Sequence, residues 1–267
     1  MTNLHWTERE GVSLHYKLSG AGRSLVLIHE LSGTSDSWDE VLKRLGEGYR
    51  VLRADQRGAG LSEKTRQPFD VATMAEDTLA AITAAGLEAP YTIAGIASGT
   101  AIAVELAAKL RGEVEQLLLC SPALKANPDR RDYLLQRGAK ACREGMRSVI
   151  DVVFERSFPE DMISDRAVYE EYRARFLAID PFCYEQANAM LANVDVTDAK
   201  SKLGCPVLVL AGTRDLLRPV DHVRADIAGI ARCDLRIVDS GHIMILQAPE
   251  AVAEALRDLH QSRGAKV

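Results

Sequence analysis

Residues 91–102 read Tyr91-Thr92-Ile93-Ala94-Gly95-Ile96-Ala97-Ser98-Gly99-Thr100-Ala101-Ile102. The first four form a short apolar run, as a buried strand does. From Thr100 to Leu110 the chain is rich in Ala and Leu, as a helix packed on a sheet is. Between them, Gly95-Ile96-Ala97-Ser98-Gly99 has the spacing of a sharp strand-to-helix turn that presents a nucleophile. Its glycines let backbones approach closely. Such a turn carries Ser, Cys or Asp at its centre, and here that position is Ala97.

The flanking sequence repeats this strand–helix alternation. Residues 12–18 alternate apolar and polar, which predicts a half-buried edge strand. Continuous apolar runs predict buried strands at 24–28, 49–54, 114–120, 207–211 and 235–238. Asp70 is a predicted N-cap for a helix over 71–85 that closes near Gly86, and a last helix is predicted over 251–260. The pattern implies an α/β fold, a mostly parallel twisted sheet flanked by helices. From about 125 to 202 no strand is evident. Helices are predicted there over 131–143, 146–155, 166–178 and 181–193, punctuated by Pro128, Pro159 and Pro181. Such an insert is expected to cap the strand ends, where α/β sheets bind ligands. The predicted division is a core of residues 1–124 and 200–267 with a helical cap of 125–199.

At 267 residues the chain suits one α/β domain with a small insert. Its 47% apolar and 27% charged residues exclude a disordered or collagen-like chain. The net charge of −5 gives no electrostatic footprint for nucleic acid, so no nucleic-acid partner is expected. No apolar stretch approaches the ~20 residues of a membrane span, so no membrane partner is expected either. Residues 1–10 are polar and show no secretory signal. The five cysteines, Cys120, Cys142, Cys183, Cys205 and Cys233, are widely spaced and form no Cys-x-x-Cys pair. Disulfide-framework and zinc-finger readings fail, and reduced thiols in a cytoplasm are expected.

Three further signals follow predicted strands. Leu210-Ala211-Gly212-Thr213-Arg214-Asp215 ends in an acid, and Asp239-Ser240-Gly241-His242 ends in a His. A carboxylate that orients an imidazole, and an imidazole that takes a nucleophile's proton, is the chemistry this pair offers. Asp215 could instead be a turn residue before Pro219. However, the preceding strand ends in Cys120-Ser121-Pro122, with no carboxylate to replace it. The third signal is His29-Glu30-Leu31-Ser32-Gly33, a loop placed to give a backbone N–H to an oxyanion. His29 reads as a brace for that loop. Glu30 is either a solvated side chain or a substrate-binding carboxylate for an amide N–H or hydroxyl. A bare carboxylate would repel an oxyanion, so Glu30 is expected to turn away or be protonated. Among Arg130, Arg131, Arg137, Arg143 and Arg173, one could clamp a substrate carboxylate while the rest stay solvated. Trp38 and Tyr184 read as packing residues.

With these residues the chain resembles the α/β-hydrolase superfamily. Nucleophile, acid and His follow the family's chain order. Asp55-Gln56-Arg57-Gly58-Ala59-Gly60-Leu61-Ser62 resembles its Asp-x-Arg-Gly-x-Gly-x-Ser loop, and Pro249-Glu250 the start of its final helix. Ser32-Gly33-Thr34-Ser35-Asp36-Ser37-Trp38 and Asp180-Pro181-Phe182-Cys183-Tyr184 are similar to the 3-oxoadipate enol-lactonase-like hydrolases. The resemblance implies hydrolysis of a small, partly anionic ester, lactone, amide or C–C substrate, such as a ring-cleavage catabolite, with no metal and no organic cofactor. It implies a nucleophile at position 97, His242 as base and Asp215 as its orienter. The Leu31 and Ser98 N–H groups would form the oxyanion hole. Ala97 then has three readings: replacement of a Ser in an inactivated variant, which is preferred because His and acid look intact; a non-catalytic small-molecule binder; or a cofactor-free oxygenase or lyase that needs only His242 and Asp215.

Overall fold

The computed structural model describes residues 4–158 and 160–261; Pro159 and the terminal residues 1–3 and 262–267 lie outside the described residues. Eight strands form one sheet: β1 (Leu4–Arg9), β2 (Val12–Gly20), β3 (Arg23–Ile28), β4 (Tyr49–Ala54), β5 (Tyr91–Ile96), β6 (Val114–Cys120), β7 (Val207–Gly212) and β8 (Cys233–Val238). Their spatial order is β1-β2-β4-β3-β5-β6-β7-β8. From β3 onward all pairings are parallel, while β1–β2 and β2–β4 are antiparallel.

Strand alternation divides the apolar residues between two cores. In β3, Leu25 and Leu27 face one side, and Val26 and Ile28 the other. Leu118 and Leu210 join the first side, Leu117 and Val209 the second. A strand buried on both faces therefore reads as a continuous apolar run. The first core is closed by α1 (Asp39–Leu45) and α11 (Pro249–Gln261), through Val41, Leu45, Val252 and Leu256. The second is closed by α2 (Val71–Ala84) and α3 (Ser98–Lys109), through Met74, Ile82, Ile102 and Leu106. Burying each such side chain contributes about 1.5–3 kcal/mol. Asp70 caps α2 by accepting a hydrogen bond from the Thr73 N–H at 2.8 Å.

Between β6 and β7 the chain is helical: α4 (Pro128–Glu144), α5 (Ile150–Ser157), α6 (Arg166–Leu177), α7 (Pro181–Ala192) and α8 (Thr197–Ser201). The helix expected over 146–155 divides into a 3₁₀ turn, Met146–Ser148, and α5. Val149, at φ −123°, leaves helical geometry between them. The edge-strand expectation for residues 12–18 is corrected. The edge is β1, so β2 lies inside the sheet, and the Trp6 ring lies against His15 with centroids 5.0 Å apart. Most of β1 is exposed, so no apolar alternation marked it. Four short helices are not expected from the sequence: α1, α8, α9 (Val220–Ile227) and α10 (Met244–Gln247).

The strand order reverses at β3. The chain runs outward from β3 to β4, then returns to place β5 on the other side of β3. Such a switch point opens a crevice beyond the strand carboxyl ends. The loops after β3 and β5 are the crevice's two walls.

Candidate active site

Parallel register brings the four loops to one level. Ile28 pairs with Gly95, so Leu31 and Ser98 each lie three residues beyond a matched position. Gly212 pairs with Val238, so Asp215 and His242 leave the sheet together. Leu31, Ala97, Ser98 and His242 line one cavity of about 80 Å³. Asp215 stands behind His242. The His242 Nδ1 lies 2.9 Å from Asp215 Oδ2 and 3.1 Å from Oδ1, with the Asp215 side chain fully buried.

Asp215 also holds its own loop. Its Oδ1 accepts the N–H groups of Leu217 and Arg218, both at 2.8 Å. Burial opposes its ionisation, but the His242 charge and hydrogen bond, with those two amides, bring its pKa down to about 2. The acid is thus an anion across the physiological range. Its turn role and its contact with the imidazole coexist.

The bend itself is strained and tightly held. Ala97 has φ +48° and ψ −119°, a conformation L-residues rarely adopt. Its N–H donates to Cys120 O at 2.9 Å, and its carbonyl accepts from Thr100 N–H at 3.0 Å. Thr100 Oγ1 also donates to that carbonyl and accepts from Ala123 N–H. A Cβ on Gly95 would stand 2.5 Å from Gly99 O, and one on Gly99 would stand 2.5 Å from His29 O. The two glycines are there because neighbouring backbone fills the space of any side chain. Neither the Leu31 nor the Ser98 N–H has a hydrogen-bond acceptor among the described residues. The Ser98 hydroxyl is buried without a partner.

His29 braces the β3 loop. Its Nε2 accepts the Gln56 N–H at 3.0 Å, so Nδ1 carries the proton and donates to Glu30 O at 2.7 Å. Glu30 is buried and folds back over Gly33, where Ser37 Oγ donates to its Oε1 at 3.0 Å. It is therefore not the solvated side chain of the plain alternative. Of the five singled-out arginines, Arg130 and Arg137 line the cavity. Arg131 instead bonds Asn193, and Arg143 is an exposed residue beside Glu144. Trp38 and Tyr184 are buried in the first core. Arg218 and Tyr172 also line the cavity and were missed. Arg218 had a usable signal, three residues past the acid in one loop. Tyr172 had none, because an aromatic on an amphipathic helix reads as core. Among the described residues, no group of three His, Cys, Asp or Glu is placed to hold a metal ion, and no helix is long and apolar enough to cross a membrane.

This combination of switch-point crevice, strained bend and His–acid pair agrees with the family comparison. The alpha/beta hydrolase family profile matches residues 25–255, and the chain belongs to that family. It is similar to pyrrolizixenacetamide deacetylase of Xenorhabdus hominickii, 22% identical over 250 residues, 91% of this chain and 92% of that protein. Among solved structures it is similar to the enol-lactonase from Burkholderia xenovorans LB400, at 25% identity and TM-score 0.90 over 96% of this chain and 100% of that one. It is also similar to a thermophilic esterase from Thermogutta terrifontis, solved with malate bound, at 25% identity and TM-score 0.87 over 97% of both chains.

Proposed function

We propose that this chain carries the acyl-transfer site of a hydrolase for small carbonyl compounds, with Ala97 in the nucleophile's place. Helices α4–α7 act as the cap over the site. With a Ser at position 97, its hydroxyl would attack a carbonyl while His242 takes the proton. Asp215 would fix the ring and stabilise its cation. The Leu31 and Ser98 N–H groups would hold the oxyanion. His242 would then protonate the leaving group and activate water for deacylation. As it stands the chain binds such a compound without turnover. Relatives named as a deacetylase, an esterase and an enol-lactonase support this class of reaction.

One observation carries the reading. The His242 Nδ1 stands 2.9 Å from Asp215 Oδ2, and His242 shares a cavity with the strained Ala97 and the two acceptor-free amides. The test is Ala97→Ser assayed with 4-nitrophenyl acetate. Hydrolysis should rise at least about 10³-fold, because nucleophile loss costs on the order of 10⁶ in a serine protease. An unchanged rate in a folded variant overturns the reading. Oxygen uptake or C–C cleavage by the unmodified chain would replace it with proton-abstraction chemistry.

A further inference from the structure

The cavity that contains His242 is also lined by charged groups of opposite sign, of which Glu30, Arg130 and Arg137 have no ionic partner among the described residues. On one wall, Glu30 is 2% exposed. No Lys, Arg or His stands within ion-pair distance of it among the described residues. Ser37 satisfies Oε1, while Oε2 is buried and accepts no hydrogen bond. Tyr172 of α6 stands beside this carboxylate. Burial first, then the Glu30 charge and a side-chain hydrogen bond with Glu30, push the tyrosine's pKa well up, so it stays a neutral hydroxyl that partly compensates the carboxylate. An unpaired buried carboxylate is costly unless something compensates it.

Across the cavity, α4 contributes Arg130 and Arg137, and the loop after Asp215 contributes Arg218. Arg130 has no carboxylate within ion-pair distance among the described residues. It donates only to Leu217 O at 3.4 Å and lies 5.7 Å from the Tyr133 ring centre. Burial, and then Arg156, Arg218 and Arg137, bring its pKa down to about 10. Arg137 is held by a neutral acceptor, Asn188 Oδ1, at 2.8 and 2.6 Å. Arg218 meets Asp226 only at 3.8 Å. Like charges gathered with too few counter-ions are destabilising, and an anion placed among them relieves this.

We infer that the cavity selects a small bipolar ligand, with an anionic group held by Arg130 and its neighbouring arginines and a positively charged or N–H-donating group held by Glu30. Because Glu30 adjoins Leu31 in the chain, the donor end sits beside the proposed oxyanion amides, and the anionic end lies under α4. This rests on the proposed site for its orientation, but its test needs no turnover.

The test is calorimetric titration of the chain as it exists with ω-amino acids from 3-aminopropanoate to 6-aminohexanoate. Each is compared with the alkanoate and the alkylamine of equal length. The best ω-amino acid should bind at least about tenfold tighter than either single-charge analogue, the scale of one charge-assisted hydrogen bond. Arg130→Gln should abolish the advantage over the alkylamine, and Glu30→Gln the advantage over the alkanoate. Equal affinities across the three compounds overturn the inference, as does no binding at about 10 mM, weaker than specific sites usually are. The comparison within the unmodified chain is independent of how the variants fold. If Ala97→Ser hydrolyses 4-nitrophenyl acetate while the series binds without preference, only the bipolar inference fails. If the preference holds but hydrolysis does not appear, only the hydrolytic reading fails.

Discussion

Among its described residues the molecule holds two buried histidine–aspartate pairs of nearly equal geometry, set in different surroundings. His242 Nδ1 lies 2.9 Å from Asp215 Oδ2; His15 Nδ1 lies 2.8 Å from Asp55 Oδ2. Each carboxylate also accepts two backbone N–H groups, from Leu217 and Arg218 in the first and from Ser35 and Leu61 in the second. The surroundings separate them. His242 lines a cavity beside a bend at φ +48°. His15 sits mid-strand in β2 with its Nε2 buried and unbonded, and Ser62 Oγ, Ser35 and Leu61 tie the same pair to two loops. His15 and Asp55 do line a second cavity, of about 250 Å³, but His15 Nε2 itself is closed off from it.

The sharpest way to break this comparison is to remove each imidazole in the Ala97→Ser background. His242→Ala should erase the gained esterase activity, a loss of at least about 10³-fold. His15→Ala should leave the turnover of folded enzyme within about threefold. A comparable loss from both variants would mean that the pairs are not distinct.

Stability should reverse the ranking. Asp55→Asn leaves a fully buried His15 and two loop amides short of their charged acceptor. It should cost about 3–5 kcal/mol in urea unfolding, the scale of a broken buried pair. Asp215→Asn should cost less, because the imidazole it leaves behind, His242, faces the cavity and can be solvated there.

Acid titration gives a smaller contrast. Burial opposes ionisation of both carboxylates, but their imidazole and amide hydrogen bonds win and lower both pKa values, Asp215 to about 2. A lowered carboxylate contributes stability that is fully present above its unfolded pKa, near 4, and is lost as pH falls through the folded value. For Asp215 that contribution is about 2 kcal/mol. Asp215→Asn should therefore flatten the fall in unfolding free energy between about pH 4 and 2, while Asp55 keeps its share to still lower pH.

The smallest effect is expected at the bend. Ala97→Gly should stabilise by about 1 kcal/mol, since Gly adopts this conformation without a Cβ penalty. Thermal melting measures it, and a lower melting temperature would show that the Ala97 methyl packs better than its backbone suffers.

What the sequence revealed followed the same division. Asp215 and His242 were legible because each follows an apolar run at a fixed remove, and the parallel register turns that spacing into proximity. The bend was legible because its glycines are forced by backbone contact. His15 was hidden because a strand interior gives no mark for a polar residue covered by the neighbouring ring of Trp6. The cavity's charges were half hidden. Arg130 and Arg137 were recognisable as arginines of the helical insert, but helix periodicity does not say which face a long side chain returns to. Strand β1 was missed because an edge strand exposed along most of its length carries no hydrophobic signal.

The hydrogen of Gly99 occupies the space where a methyl would meet the carbonyls of Ile28 and His29, at 2.6 and 2.5 Å. Transplant experiments with this scaffold inherit that intimacy. A segment 95–99 taken from a relative will seat only if residues 28–31 travel with it, so the bend and the loop after β3 exchange between proteins as one cassette.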